Sequence, residues 1–344
     1  MKLGKKFVFG LVAFGLICGT AFNAQAADSW TMKISHAGPT TADSDDHYGS
    51  LKIKEYIDKN ANGRIKVEIY PANQLGSYKE VVEQVQMGSL EVAHTSVDGI
   101  ASFIPELCLI DLQYSMPDDA TSRKFMRGGF KDEINAALAK VLPNVQLASI
   151  CNGGNWRSFF TTKKEIKSAE DLKGLKIRTI NSPLQQEFTR QLGANPSVVA
   201  WGECYTALST GVVDGLKIAI NDILSNKMDE SIRFGFLDMH TYLYGFYWVN
   251  KQWLASMPED LQKVVLDALV YGAEAQSDFN ENIEMSAREK FVKGGGKLTV
   301  PSAEQRAGLM GAKAGMEKWY LDKYGQAGAA WLAKYKKAVE EASK

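Results

Sequence analysis

Two arginines, Arg157 and Arg178, have the residue type and the position needed to bind a small carboxylate. Each lies at the start or the end of a predicted strand and precedes a loop rich in Ser, Thr and Asn. A guanidinium presents a planar fork of donors that pairs with a carboxylate through two parallel hydrogen bonds. The alternative is that each arginine pairs with an acidic residue on the surface, and residue chemistry alone leaves both interpretations open.

Aromatic residues follow these arginines in the chain. Trp201 and Tyr205 lie about one turn apart around a predicted helix start. Aromatic residues at helical spacing usually pack in a core, and that alternative stays open. A helix that begins near Gly202 would place partial positive charge beside them, which favours an anion. The stretch from 155 to 221 therefore predicts an anion-binding surface.

Motifs of enzymes and metal sites do not occur in the sequence. It contains no GxSxG, HExxH or phosphate-binding loop. Its four histidines, His36, His47, His94 and His240, are far apart in sequence, and nothing in their spacing asks for a metal. We therefore expect no catalytic residue, no cofactor and no metal site, although spacing alone does not exclude a metal. His36 remains a candidate ligand contact because it begins a loop after a strand.

The first 26 residues have the pattern of a secretory signal peptide. Lysines at the start precede an apolar run, and Ala24-Gln25-Ala26 supplies small residues at the positions that a signal peptidase reads. We expect cleavage after Ala26 and a periplasmic location. A membrane anchor is the alternative, but the run from 7 to 22 is short for a bilayer span of about 20 residues.

The composition excludes some partners and favours two lobes. The 344-residue chain has 40 basic and 40 acidic residues, so no charge excess favours nucleic acid or anionic lipid. Its length favours two lobes over a single core. Cys108, Cys151 and Cys204 form no CxxC or zinc pattern. They are either small buried residues or, for two of them, a disulfide.

Helices and strands alternate in both halves of the chain, which predicts parallel pairing with right-handed crossovers. Strands are predicted at 30–35, 65–70, 92–96, 145–151, 175–179, 197–200, 216–220, 236–242, 244–250 and 297–300. Helices are predicted at 48–60, 77–88, 123–142, 182–193, 202–210 and 258–292, from 302, and from 327. We expect an irregular loop at 98–105 and a flexible junction at Asn152-Gly153-Gly154.

Segments spread over most of the chain carry a family resemblance. In order, they are NQLGSYKEVVEQVQMGSLEVAHTS, DLKGLKIRT, LGANPSVVAWGECYTALSTGVVDG and MPEDLQKVV. Together they resemble the extracytoplasmic solute receptors of tripartite ATP-independent periplasmic (TRAP) transporters, of the dicarboxylate-receptor type. The resemblance implies an α/β fold of two lobes, joined by crossing strands and braced by a long helix. It also implies no enzymatic activity and a ligand enclosed between the lobes.

The resemblance extends to partners and to single residues. A receptor of this type, expected to be a monomer, delivers a small organic acid to a permease made of a small and a large subunit. Arg178 matches the arginine that pairs with the ligand carboxylate, and Arg157 looks like a second, assisting arginine. Trp201 and Tyr205 fall in the pocket-lining loop and helix.

The division into lobes follows from the same comparison. We expect a first lobe of 27–152 plus about 243–280, a second lobe of about 153–242 plus 281–325, and a C-terminal helix at 326–344. The first lobe would close on the ligand with loops near His36 and Ser96.

Ile218 departs from the pattern of the family, in which an asparagine that bonds the ligand stands after the VDG turn. Asn221 or Lys217 are candidate substitutes for that asparagine. Adjacent strand residues face opposite ways, so Lys217 and Ile218 cannot both face the pocket. An apolar residue here, with Trp156 and the aromatics above, favours an acid with an aromatic or apolar tail.

Other functions stay open at this point. A sugar acid, a keto acid or a dicarboxylate is the alternative ligand. A secreted enzyme acting on a small acid and a receptor that serves a sensor protein are the rival functions.

Overall fold

The computed structural model describes residues 29–344, so the predicted signal peptide lies outside the described residues. The strands are β1 (Trp30–Ser35), β2 (Ile65–Tyr70), β3 (Val92–Thr95), β4 (Val145–Thr161), β5 (Lys176–Thr179), β6 (Asn195–Val198), β7 (Gly215–Ile218), β8 (Phe234–Asn250) and β9 (Lys297–Thr299). The helices are α1 (Asp45–Asn60), α2 (Tyr78–Met87), α3 (Val97–Ala101), α4 (Asp119–Arg127), α5 (Phe130–Val141), α6 (Pro183–Gln191), α7 (Cys204–Ser209), α8 (Ile220–Ser225), α9 (Lys251–Ala255), α10 (Glu259–Lys293), α11 (Ala303–Met310) and α12 (Ala312–Ala342). Short 3₁₀ turns cover Pro105–Asp111, Ala169–Leu172, Trp201–Glu203 and Met228–Glu230.

The strands form a mixed sheet in the order β2-β1-β3-β8-β4-β7-β5-β6, with β9 beside β8. One end is parallel, because β1 pairs with β2 and β3. The other end is also parallel, because β5 pairs with β6 and β7. Parallel strands need helical crossovers, and α1, α2 and α6 supply them. We call the part around β1, β2 and β3 the first lobe and the part around β5, β6 and β7 the second lobe.

Two long antiparallel strands join the lobes. β4 and β8 each have 17 residues, and they pair with each other along most of their length. One end of β8 pairs with β3 of the first lobe, whereas one end of β4 pairs with β7 of the second. The helix α10 packs on α1, on β4 and on α8, so it braces both lobes. The predicted α/β fold with crossing strands and a long helix is therefore confirmed, while the finer residue boundaries of the lobes stay a prediction.

The predicted break after Cys151 is wrong, because β4 continues through it. The Asn152 side chain accepts hydrogen bonds from the backbone N–H groups of Gly154 and Asn155 at 3.0 and 2.6 Å. The ladder shifts register between Asn152 and Asn155, which marks a bulge. A side chain on Gly153 would meet the backbone of Gly245, so this glycine allows the two strands to approach closely.

Three other element predictions are corrected. The residues 236–250 form one strand, β8, because the pairing of Asn155 with Leu243 continues the ladder. The segment 98–105 begins as the helix α3, because Val97 and Ile100 bury one face. The helix predicted at 123–142 is two helices, since extended backbone at Gly128 ends α4.

Other signals in the sequence are confirmed. Ser77 caps α2 in a reciprocal capping box with Glu80, and Gly88 ends that helix with a positive φ of 79°. The helix α10 runs for 35 residues, and its bounds, Glu259–Lys293, lie one residue after the predicted ones. Within residues 29–344, no helix is both long and apolar enough to cross a bilayer.

Candidate ligand-binding site

A cavity lies between the two lobes, beside the crossing strands, and its empty space, counted together with the solvent at its mouth, is about 550 Å³. Both lobes contribute to its wall, the first through α1, α2 and β3 and the second through β5, β7 and α8. The bulged region of β4 and the facing residues of β8 form the part of the wall between the lobes. This arrangement places the cavity where movement of one lobe against the other would open or close it.

Arg157 and Arg178 both line this cavity, and we call these two residues the arginine pole. The sheet order β4-β7-β5 places them on strands that flank β7. Between them, Ile218 pairs with Ser158, the neighbour of Arg157. Both arginine side chains belong to residues that are only 2% exposed. The predicted strand start at Arg157 is wrong, because this residue lies inside β4, which continues through the bulge before it. Arg178 lies near the end of β5 as predicted, and both residues line one cavity.

The arginine pole has buried N–H groups without an acceptor. Arg178 donates its Nε–H to the carbonyl oxygen of Val199 at 3.0 Å, and its guanidinium carbon lies 5.5 Å from the ring centre of Trp201. Within the described residues, Nη1 of Arg178 and Nε of Arg157 have no hydrogen-bond partner. A buried donor without an acceptor is costly, so the pole is suited to an oxyanion.

A layer of polar residues behind Arg157 contributes charge to this pole. Lys217 points away from the cavity and donates to the carbonyl and side-chain oxygens of Gln185 at 2.7 and 2.8 Å. Burial, and then the charge of Arg157, lowers the pKa of Lys217 well below its usual value. Burial raises the pKa of Asp111, and the Arg157 charge opposes that shift. The charge of Arg157 therefore acts on this polar layer and also on Asp222 in the cavity wall.

Three carboxyl groups line the same cavity, and we call them the acidic pole: Asp45, Asp46 and Asp222. Asp45 and Asp46 occupy the first turn of α1 after the N-cap Ser44, where the helix dipole favours negative charge. Asp222 belongs to α8 of the second lobe.

Burial is the main cause of the raised pKa values of the three carboxyl groups in the acidic pole. It raises the pKa of Asp45 and of Asp46 to about 6, and the charge of Asp46 adds to the shift at Asp45. Burial also raises the pKa of Asp222 well above its usual value, and the charges of Asp45 and Asp46 act in the same direction. Arg157 and Arg178 oppose this shift at Asp222. Asp222 is therefore close enough to both poles for the charges of each to change its pKa.

Hydrogen bonds distinguish the members of the acidic pole. Asp45 Oδ2 accepts from Gln276 Nε2 at 3.0 Å and from Asn280 Nδ2 at 2.8 Å, and both donors belong to α10. Asp46 Oδ2 accepts from the backbone N–H of Gly38 at 2.9 Å. These bonds tie two of the carboxylates to the scaffold.

The wall of the cavity also includes an apolar surface. Its side chains are Ile180, Trp201, Ile218, Leu243 and Tyr244. Ile218 is 4% exposed and lies on β7 between the two arginines. The alternation along β7 keeps Ile218 in the cavity wall while Lys217 points to the opposite side.

Other residues singled out from the sequence lie elsewhere or have other partners. Tyr205 is 41% exposed, and its hydroxyl donates to Glu230. Asn221 donates to Asn280 Oδ1 at 3.2 Å and does not line the cavity. Trp156 donates its indole N–H to Asp119 Oδ1 at 2.7 Å, also outside the wall. Ser96 does line the cavity, and its hydroxyl donates to Asp98.

The histidines divide in the same way. His36 is buried behind the wall, with its Nε2 atom 3.2 Å from Nδ1 of His47. Burial, and then the charges of His94 and His47, lowers the pKa of His36 to about 3. His94 lines the cavity, with Nδ1 3.2 Å from Asp46 Oδ1. Burial lowers the pKa of His94 to about 4, so this histidine is neutral near pH 7.

Sequence reasoning missed several residues of the wall. Asp45 and Asp46 follow Ser44 in a pattern typical of a helix start, which was a usable signal. Tyr78 follows the N-cap Ser77 and points into the cavity from the start of α2. Asp222 carries no local signal, because only the tertiary fold brings it to the cavity.

Cysteines and metal-ligating groups add no further chemistry. Cys108, Cys151 and Cys204 are all buried and unpaired. Within residues 29–344, no cluster of three or more His, Cys, Asp or Glu side chains is arranged to hold a metal ion.

Comparison with known proteins identifies the family. Residues 36–320 match the model of the bacterial extracellular solute-binding proteins, family 7. The chain is 26% identical to the 2,3-diketo-L-gulonate-binding periplasmic protein YiaO of Escherichia coli, over 86% of each protein. It is 28% identical to the C4-dicarboxylate-binding periplasmic protein DctP of Rhodobacter capsulatus, over 82% of this chain and 83% of the relative. A TRAP periplasmic solute-binding protein from Desulfovibrio salexigens, solved with orotic acid, superposes with a TM-score of 0.83 at 23% identity, covering 91% of this chain and 99% of that one. The chain therefore belongs to the family 7 extracellular solute-binding proteins, the receptors of TRAP transporters.

Proposed function

We propose that the protein captures a small organic carboxylate between its two lobes and delivers it to a TRAP permease. The observation that carries this proposal is the arginine pole, where two buried guanidinium groups share one cavity wall and each has an N–H without an acceptor. A carboxylate at this position would satisfy both donors at once. It would also bring a negative charge to the point where Arg157 and Arg178 concentrate positive charge.

The two arginines have different roles in the proposed complex. Arg178 forms the two-bond pair with the carboxylate, because Val199 and Trp201 already fix the plane of its guanidinium. Arg157 adds a second charge-assisted bond from β4. Closure of the lobes removes water from the pair, and the closed state is stabilised only by contacts that the open state lacks.

The apolar surface favours a ligand with an apolar or aromatic tail. Ile218, Leu243 and Trp201 offer contact area and no hydrogen-bonding group except the indole N–H. The relatives are named for a diketo sugar acid and C4-dicarboxylates, and one structural neighbour holds orotic acid. The ligands named for these three proteins are all acids, so they share a carboxylate and differ in the rest of the molecule. A sugar acid, a keto acid or a dicarboxylate remains the alternative.

The related proteins are binding proteins, and we propose that this one releases its ligand unchanged. The proposed route runs from secretion, with cleavage after Ala26, to a monomer in the periplasm. The proposed partner is a permease with a small and a large subunit. Incubating the protein with the bound acid and finding a new product by mass spectrometry would contradict the assignment as a receptor.

Calorimetry with arginine variants tests the proposal. The purified protein is first stripped of bound molecules by unfolding and refolding, and is then titrated with a panel of organic acids. Arg178→Ala should weaken binding by on the order of 2–5 kcal/mol, because it leaves a desolvated anion unpaired. Arg178→Lys keeps the charge but loses the fork, so its loss should be smaller.

Arg190→Ala provides the matched control, because Arg190 is exposed on α6, contacts Glu187 and Gln186 of the same helix and does not line the cavity. Its affinity should equal that of the unmodified protein. Unchanged affinity in Arg178→Ala, with a correctly folded protein, would refute the role of the arginine pole.

A further inference from the structure

The acidic pole is not needed to hold a carboxylate, and its presence calls for a separate explanation. Two arginines and three carboxyl groups line one cavity. A ligand with one carboxylate would offset one of the two guanidinium charges and would bring neither a donor nor a positive charge to the acidic pole. Buried carboxylates need a cation, a set of donors or a proton to be stable.

The scaffold satisfies the three carboxylates unequally. Asp45 takes two amide donors from α10, and Asp46 takes a backbone N–H from Gly38. Among the described residues, Asp222 accepts hydrogen bonds only through its backbone oxygen. Burial and then the charges of Asp45 and Asp46 raise the pKa of its carboxyl group, and the two arginines oppose that shift. Asp222 therefore has the least support from the protein, and it lies within electrostatic reach of both poles.

The wall of one cavity therefore carries both buried guanidinium N–H groups without an acceptor and carboxyl groups. A ligand that matches this pattern carries a negative and a positive group on one short frame. An ammonium group donates up to three hydrogen bonds and brings the charge that the acidic pole lacks.

Building on the proposed function, we propose that the ligand is a zwitterion, a small amino acid or betaine-like acid whose carboxylate binds the arginine pole and whose protonated nitrogen binds the acidic pole at Asp222. The apolar surface of the wall contacts the frame that joins the two groups. A second carboxylate on the ligand would meet like charges at the acidic pole, so dicarboxylates are disfavoured.

A hydroxylated acid is the main competitor, because hydroxyl groups also donate to carboxylates. It differs in one respect that can be measured, because a hydroxyl brings no charge. Changing Asp222 to asparagine keeps the shape and an acceptor oxygen but removes the charge. This substitution should affect an ammonium group much more than a hydroxyl group.

The test uses acids matched in length and frame. One series contains β-alanine, γ-aminobutyrate, δ-aminovalerate and para-aminomethylbenzoate. The other series contain the same frames ending in a methyl, a hydroxyl or a second carboxylate. Each acid is titrated by calorimetry into the stripped full-length mature protein and into its Asp222→Asn, Asp229→Asn and Arg178→Ala variants. Asp229 is the matched control, because it lies in the following 3₁₀ turn and does not line the cavity.

For at least one frame, we expect the amino form to bind about tenfold or more tightly than its matched partners. Asp222→Asn should remove that preference, Asp229→Asn should keep it, and Arg178→Ala should weaken every acid. If acids bind in an Arg178-dependent manner but the amino group brings no advantage, the inference is overturned and the proposed function stands. If binding does not depend on Arg178, the proposed function fails, and the inference fails with it.

Discussion

The arginine pole and the acidic pole lie in one cavity, but the chain builds them from different kinds of element. The arginines come from strands of the sheet, where the ladder fixes the position of each side chain. Asp45, Asp46 and Asp222 come from the first turns of helices, and their positions depend on how α1 and α8 pack. The position of the strands therefore determines the arginine pole, whereas the packing of the helices determines the acidic pole.

The largest expected effect is on stability, and it distinguishes Asp45, which supports the fold, from Asp222, which we expect to bind the ligand. Asp45→Ala removes an acceptor from the amides of Gln276 and Asn280 on α10. We expect the free energy of unfolding to fall by on the order of 2–4 kcal/mol, because two buried donors each lose a partner. Urea denaturation followed by circular dichroism measures this change.

Asp222→Asn should instead leave stability unchanged or raise it, because it removes a buried charge that Asp45 and Asp46 repel. Equal losses in Asp45→Ala and Asp222→Asn would show that both carboxylates support the fold, and the distinction within the acidic pole would disappear.

A smaller effect is expected at Ile218, which lies between the arginines. Ile218→Asn introduces the polar group that the apolar surface lacks. The affinity for para-methylbenzoate should fall relative to that for glucuronate by about 1–3 kcal/mol. Competition calorimetry with both acids measures the ratio. Ile218→Val is the control and should keep the original preference; a ratio that does not move in Ile218→Asn would place the ligand tail elsewhere.

The smallest effect is expected at Tyr205, outside both poles. Tyr205→Phe removes an exposed hydrogen bond to Glu230 and no cavity contact. Stability should change by less than about 0.5 kcal/mol, and affinity for every acid should stay the same. A clear loss of affinity in this variant would mean that the binding surface reaches α7.

Sequence reasoning reached the arginine pole because strands carry local information. The apolar run before Arg178 predicted its strand, and the turn before Ile218 predicted the next. The alternation along β7 then indicated that Ile218 and Lys217 face opposite sides, as the structure shows. Arg157 and Arg178 meet because β4 and β5 both lie beside β7, an order that no local pattern predicts.

The rest depends on packing that the sequence does not display. Trp201 and Tyr205 lie about one helical turn apart in the sequence, but Trp201 lines the cavity from a 3₁₀ turn whereas Tyr205 is exposed on α7 and bonds to Glu230. The pattern Asn152-Gly153-Gly154 predicts a flexible break because a bulge inside a long strand uses the same residue types. The sequence predicts a start of α1 at residue 48, three residues late, and so leaves Asp45 and Asp46 in a loop.

A crystal structure of the protein with an acid that calorimetry shows it to bind tests the arginine pole most directly. We predict that the carboxylate lies within hydrogen-bonding distance of Nη1 of Arg178 and of the Arg157 guanidinium, with the rest of the molecule against Ile218 and Leu243. A carboxylate bound outside the cavity, or turned away from both arginines, would contradict it.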